Sequence, residues 1–317
     1  MDLEKFSKDE WALILGGSSG FGLATAKKMS QAGLSVCVVH RDRKGAMTRI
    51  EQEFQLIKDS MLPGAQFLAL NLDALSQEGI TETIEKLQAT SKGKVRMLLH
   101  SIAFGNLKPI APVTAEKQQE NDALLMRLAE ELGSPKEKVQ ETVSKLFNEG
   151  FDPLSALVPP VYGESVIEDE DMARTIYSMG TSLLTWVQKL HAADMFAADT
   201  RVFGLTSEGN DIAWRGYAAV SAAKTALEAV SRSIAVEFAP YGIRSNIIQA
   251  GVTDTPALKV IPGSGAMKAA ARQRNPFGRL TTPEDVANVI SLLSRTEAGW
   301  INGSLIRVDG GEHIASA

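Results

Sequence analysis

The stretch WALILGGSSGFGLATAKKMSQAGLSVCVVHR, residues 11–41, decides the architecture. It reads as an apolar run, a glycine-rich turn, a helical pattern closed by Gly33, and a second apolar run. Neither apolar run alternates with polar residues, so both are expected to be strands covered on two faces. Two such strands joined by a helix must run parallel. The rhythm continues with a helix (KGAMTRIEQEFQLIKDS), a third strand (AQFLALNLD), another helix (SQEGITETIEKLQATSKG) and a fourth strand (VRMLLHSIAFG). After residue 171 it resumes with a helix (MARTIYSMGTSLLTWVQKLHAADMF), the strand TRVFGLTS and a helix that holds Tyr217. The strand IRSNIIQAG, the helix TPEDVANVISLLSR and the closing strand SLIRVDGG complete the pattern. The expected fold is α/β: one Rossmann-type doubly wound parallel sheet over residues 1–317.

Residues 105–170 interrupt the alternation after strand four. AEKQQENDALLMRLAEELG and SPKEKVQETVSKLFNEG read as two polar helices. The second is expected to start with Ser134 as N-cap, Pro135 in the first turn and Glu137 as capping-box acid. FDPLSALVPPVYG reads as an irregular, proline-rich loop. An insertion of this length beside strand ends is either a surface addition or a lid or partner-binding element.

Composition narrows the function. The 317 residues carry a formal net charge of -5 and 44% hydrophobic side chains. The sequence pI is near 5.6. Nucleic-acid binding calls for a basic domain, so no nucleic-acid partner is expected. The single cysteine, Cys37, sits in an apolar run and is expected to be buried and inert. One thiol builds no disulfide framework, and the charged start MDLEKFSKDE lacks a signal-peptide core. No apolar run approaches a membrane span, so a cytoplasmic protein is expected. The four histidines show no metal-ligand spacing, so no metal is expected, and His100 is read as a core residue.

The turn LGGSSGFG places Gly16, Gly20 and Gly22 between a strand and a helix. That context lets backbone approach a pyrophosphate and points helix N–H groups at it. Gly16, Ser18, Ser19, Gly20, Phe21 and Gly22 are therefore candidate cofactor-binding residues. The end of strand two selects the nucleotide: an acid accepts the 2′-hydroxyl of NAD, whereas arginine meets the 2′-phosphate of NADP. Arg41 is placed there, with Arg43 and Lys44 in support, and NADPH is expected ahead of NADH. Asp42 is the counter-signal, since a one-residue shift brings an acid into play.

These motifs resemble the short-chain dehydrogenase/reductase superfamily over nearly the whole chain outside the insertion. ALILGGSSGFG resembles its glycine motif, and PEDVANVISLLSRTEAGWINGSLIRVDGG its C-terminal signature. LHSIAFG (99–105), QAGVTDTPA and the spacing of Tyr217 and Lys224 are similar to the enoyl-acyl-carrier-protein reductases, in the subgroup that keeps the ordinary glycine turn. Most relatives in the superfamily space this Tyr–Lys pair by four. A step of seven residues on a helix returns to within about 20° and advances about 10.5 Å, so both side chains can share one face. Val220 takes the position four before Lys224 and has no proton to give.

The resemblance implies reduction of a trans-2-enoyl thioester carried on acyl carrier protein or coenzyme A, in fatty acid biosynthesis. Tyr217 would donate to the thioester oxygen, Lys224 would bond the nicotinamide ribose, and Ser207 would support as a second donor. Ser101, Ile102 and Ala103 would line the cofactor, Asn71 and Leu72 would flank the adenine, and Gly251, Thr253 and Thr255 would hold the carboxamide and pyrophosphate side. Residues 255–280 fit a substrate lid hinged at Gly263, Ser264 and Gly265, whose Lys268, Arg272 and Arg274 would meet an acidic carrier. A homodimer or homotetramer is implied too. The rivals are a 3-oxoacyl or other ketone/alcohol oxidoreductase and a non-catalytic NADP-binding sensor or scaffold.

Overall fold

The strands are built from residues that alternate between two buried faces. In β1 (Glu10–Leu15) the side chains of Trp11, Leu13 and Leu15 enter one apolar cluster, and those of Ala12 and Ile14 enter the other. β2 (Ser35–His40), β3 (Phe67–Asn71) and β4 (Lys94–His100) follow the same rule, and so do β5 (Phe196–Thr206) and β6 (Ile243–Ala250). In the edge strand β7 (Leu305–Val308) only Ile306 and Val308 pack on a cluster, and Leu305 is exposed. The structure, a computed structural model, describes residues 5–90, 93–112, 115–158, 160–163 and 165–316.

The seven strands form one parallel sheet in the order β3-β2-β1-β4-β5-β6-β7. One face is covered by α1 (Gly20–Gln31), α2 (Lys44–Ser60) and α9 (Pro283–Leu293), through Met29, Ile50, Ile57 and Ile290. The other is covered by α3 (Gln77–Thr90), α7 (Ser182–Ala192) and α8 (Ala218–Glu237), through Ile80, Trp186, Leu190 and Leu227. Register aligns Leu15 with both Val39 and His100, so β1, β2 and β4 end level. The chain winds outward from β1 to β3 and then returns to β4, which makes the β1/β4 boundary the switch point where such sheets bind ligands.

The insertion holds α4 (Ala115–Leu132) and α5 (Lys136–Asn148), as the sequence pattern predicts. Its positions 113, 114, 159 and 164 lie outside the described residues. Two expectations change. Ser134 does not cap α5: its N–H donates to Ala129 O at 3.0 Å, so it closes α4, and Pro135 takes the cap position. The loop read from FDPLSALVPPVYG begins with a 3-10 turn, Asp152–Leu157. That turn packs Leu154 and Leu157 on a small cluster of Leu125, Ala129, Val139 and Val143.

The helix expected around residues 172–195 is real but interrupted. α6 (Asp169–Ile176) passes through a wide π-type turn, Tyr177–Thr181, into α7. A Cβ on Gly180 would lie 2.5 Å from Ala223 O, so glycine lets this turn press against α8. Among the described residues no helix is long and apolar enough to cross a membrane.

Candidate active site

The glycine turn is dictated by space. Gly16 has φ +85°, and a Cβ there would sit 2.5 Å from Ser101 O. A Cβ on Gly22 would collide with the carbonyl oxygen of Gly16. The turn therefore brings three backbones together, and no side chain fits between them. Ser19 occupies the N-cap of α1 without a side-chain cap bond, which leaves the first-turn N–H groups facing the sheet edge for another acceptor. This arrangement fits a pyrophosphate.

Tyr217 is the N-cap residue of α8 rather than part of its first turn. Its ring presses on Gly209, where a Cβ would collide with the ring carbons, and its hydroxyl is 3.3 Å from Ser207 Oγ. Burial pushes the phenol above its ordinary value, and the Ser207 contact opposes this, so the proton stays in place at neutral pH. Lys224 is 7% exposed. Burial pushes its ammonium down to about 8, with Glu228 one turn on opposing the shift. Among the described residues its ammonium has no hydrogen bond and no ion pair. A buried ammonium with no hydrogen bond, whose nearest acid stands one turn away, needs polar groups from elsewhere, and ribose hydroxyls fit that need.

The side chains converge on one cavity of about 240 Å³. Of the expected residues, Gly16, Ser19, Gly20, Phe21, Ser101, Ile102 and Ala103 line it from the β1/β4 side. Ser207, Tyr217, Lys224, Gly251, Thr253 and Thr255 line it from the β5/β6 side. Apolar lining comes from Leu107, Met179, Trp214, Val220, Ile261 and Met267. Val220 packs with Met179 and Ala223, one turn deeper than Tyr217. His100, read from sequence as a core residue, is buried with Nε2 2.8 Å from Ser182 Oγ. Burial and the nearby Lys224 charge hold its imidazole down to about 3.

Five expected residues lie outside the cavity lining. Ser18 is buried in the turn, and Gly22 packs against it from α1. Asn71 clasps the backbone of Asp42, accepting from its N–H and donating to its carbonyl at 3.1 Å each. The Leu72 N–H donates to His40 O at 2.8 Å. Arg41 is exposed, 2.7 Å from Asp73, with its guanidinium 4.7 Å from the centre of the Phe104 ring. The Asp42 carboxylate turns inward to His40 Nδ1 at 2.9 Å. These groups lie at the C-terminal ends of β2 and β3.

The chain matches two family models: "short chain dehydrogenase" over residues 10–124 and "Enoyl-(Acyl carrier protein) reductase" over residues 158–313. It belongs to the short-chain dehydrogenase/reductase superfamily. It is an oxidoreductase of that superfamily, whose members bind NAD(P)H. It is 28% identical to a probable 2,4-dienoyl-CoA reductase of Bacillus subtilis (strain 168) over 95% of this chain and 96% of that protein. The fold is shared with the enoyl-[acyl-carrier-protein] reductase (NADH) of Aquifex aeolicus VF5, at TM-score 0.69 and 20% identity over 97% and 98% of the two chains. It is shared too with a 3-ketoacyl-(acyl-carrier-protein) reductase of Brucella melitensis in complex with NADH, at TM-score 0.65 and 22% identity over 96% and 98%.

Other residues of the site escaped the sequence reading. Glu228 accepts from Thr206 Oγ1 at 2.9 Å and from Asn210 Nδ2, tying the end of β5 to the helix of Lys224. Its spacing of four from Lys224 was a visible signal. Arg174, from α6, lies 5.0 Å from the Phe104 ring beside Arg41, and nothing in the sequence joins those positions. The basic residues expected to face a carrier protein are engaged within the chain. Lys268 pairs with Asp254 at 3.5 Å, Arg272 grips both oxygens of Asp152, and Arg274 bridges Glu208 at 2.6 Å and Glu312 at 3.0 Å. The negative groups that neutralise them come from distant segments.

Proposed function

We propose that the protein reduces the trans-2 double bond of enoyl thioesters, as enoyl-acyl-carrier-protein reductases do, with NADPH as its cofactor and coenzyme A thioesters as the simplest substrates. The observation that carries this reading is the depth of the phenol. Tyr217 lines the cavity at the entry of α8, and the position one turn deeper is the apolar Val220. A ketone needs its proton donor on the oxygen of the very carbon that accepts hydride. An enoyl thioester accepts hydride two carbons away from its carbonyl, so its donor belongs at a displaced position.

The nicotinamide supplies the hydride when bound. The glycine turn and the first turn of α1 would hold the pyrophosphate, Ser101, Ile102 and Ala103 would line the nucleotide, and Lys224 would bond the ribose hydroxyls. Gly251, Thr253 and Thr255 would close the opposite side. Arg41 would take the 2′-phosphate. Its partner Asp73 is exposed, and such surface pairs are worth only about 0–1 kcal/mol, so a phosphate can displace it. Asp42 favours NADPH as well, because its carboxylate is turned to His40 and away from a ribose hydroxyl.

Tyr217 donates to the thioester oxygen as negative charge gathers there, and burial keeps the phenol protonated for that purpose. Lys224 adds positive potential below its deprotonation near pH 8. Ser207 offers a second hydroxyl at the same oxygen. Protonation at the α-carbon completes the addition. The segment Pro256–Arg274 acts as the lid and contributes Ile261 and Met267 to the acyl end.

The contact between Ser207 Oγ and the Tyr217 hydroxyl favours one second reading, reduction of a 3-oxoacyl thioester or ketone. The decisive assay follows NADPH and NADH absorbance with crotonyl and acetoacetyl thioesters on coenzyme A and on carrier protein. Oxidation with the crotonyl compounds is expected. Oxidation with acetoacetyl compounds alone removes the enoyl reading, and oxidation with none leaves an NADP-binding sensor.

A further inference from the structure

Both limbs of the insertion meet at the two residues that precede Tyr217. On the outgoing limb, the carbonyls of Ala111 and Pro112 accept from Arg215 Nη2 at 2.7 and 2.6 Å. On the returning limb, the Tyr162 ring lies 5.5 Å from the same guanidinium. Gly216, at φ +75°, passes so close to the outgoing limb that a Cβ would be 2.7 Å from Leu107 O. The neck is closed by the Ile167 N–H, which donates to Pro109 O at 2.9 Å.

The far part of the insertion grips the segment Pro256–Arg274 instead. Asp152 takes the Arg272 guanidinium in a two-point grip, with Nε at 2.7 Å from Oδ2. A Cβ on Gly263 would lie 2.9 Å from the Pro160 ring, and one on Gly265 would lie 2.9 Å from Phe147. The Asp152 carboxylate is 13% exposed, so this bidentate pair is better shielded than an ordinary surface pair. The cluster of Leu125, Ala129, Val139, Val143, Leu154 and Leu157 packs α4, α5 and the turn that carries Asp152 into one body. On the returning limb Pro160, which meets Gly263, stands two residues from Tyr162, which meets Arg215.

We infer that the insertion is a clasp that sets Tyr217 relative to the lid, and that Arg215 is a positioning residue for the phenol. The role assigned to Tyr217 rests on the proposed function above; the mechanical link does not. Closing the lid pulls on Asp152 through Arg272, and the insertion transmits the displacement to Arg215 and Gly216. A lid out of place therefore leaves the phenol out of place, and water is excluded only when the donor is aligned.

The test uses the full chain and the variants Arg215→Met, Arg215→Lys and Asp152→Asn, singly and in the double combination Arg215→Met with Asp152→Asn. Each single loss is expected to lower kcat with crotonyl-coenzyme A about tenfold while the NADPH Kd stays unchanged, with Arg215→Lys restoring most of it because an ammonium still reaches both carbonyls. The double variant is expected to lose no more than the worse single variant, because both cut one linkage. Losses that multiply, or a raised NADPH Kd, overturn the inference. Hydrogen exchange with NADP bound gives an independent reading: Asp152→Asn should speed exchange at residues 209–217 as well as 263–274. Faster exchange at 263–274 alone overturns the clasp. A wild-type protein inactive on every thioester overturns the enoyl reading, and the exchange experiment still decides the clasp.

Discussion

Around Gly16 and Gly22 the chain leaves no room for one added carbon, because backbone meets backbone. Around Arg215 and Arg272 the same cavity is held by side chains that reach partners 104 and 120 residues away. The glycine-turn side of the cavity is thus fixed by what the main chain permits, and the opposite side by long-range polar contacts on a separate small core. The first kind of constraint tolerates nothing but glycine. The second can be retuned residue by residue.

The sharpest way to break this contrast is Gly22→Ala. The added methyl collides with the Gly16 carbonyl, so NADPH binding should be lost and stability should fall by several kcal/mol, read by calorimetric titration and thermal melting. Retention of tight binding would show that the turn can yield. Tyr217→Phe comes next: it should lower kcat about 100-fold or more and leave NADPH affinity within about twofold, by stopped-flow turnover and fluorescence titration.

The pH dependence sharpens the electrostatic side. Burial holds Lys224 at about 8 against an ordinary 10.5, so the buried charge penalises the unliganded fold below pH 8. The unfolded chain keeps its proton longer, and this group makes stability rise between pH 8 and 10.5. Turnover should move the opposite way, with kcat/KM falling about tenfold per pH unit above 8 as the ammonium is lost. Lys224→Met should abolish both trends. The smallest effect is expected from Leu125→Ala in the insertion core. About 2–5 kcal/mol of local packing is lost, kcat/KM drops severalfold, and the NADPH Kd does not move.

What was legible in the sequence follows the same division. The strand–turn–helix at residues 10–31 is contiguous, and its glycines announce a backbone requirement, so the fold and the tight turn could be read directly. Tyr217, Lys224 and Ser207 were legible through spacing, since one helix and one strand end bring them together. The fates of Lys268, Arg272 and Arg274 were not. Their partners Asp254, Asp152, Glu208 and Glu312 are joined to them only by the way the chain folds back. Ser134 misled for a local reason: the N-cap signature was present, but Ser134 still belongs to the turn that closes α4, and α5 starts one residue later at Pro135.

Cys37 sits fully buried in β2, between the central strand and β3, and burial raises its thiol far above the ordinary range. As the sole sulfhydryl in the chain, it can meet a water-borne alkylating reagent only when the sheet itself comes apart. Its labelling rate is therefore a built-in clock for the opening of the molecule's centre, and any cysteine engineered at the surface can be tagged without interference.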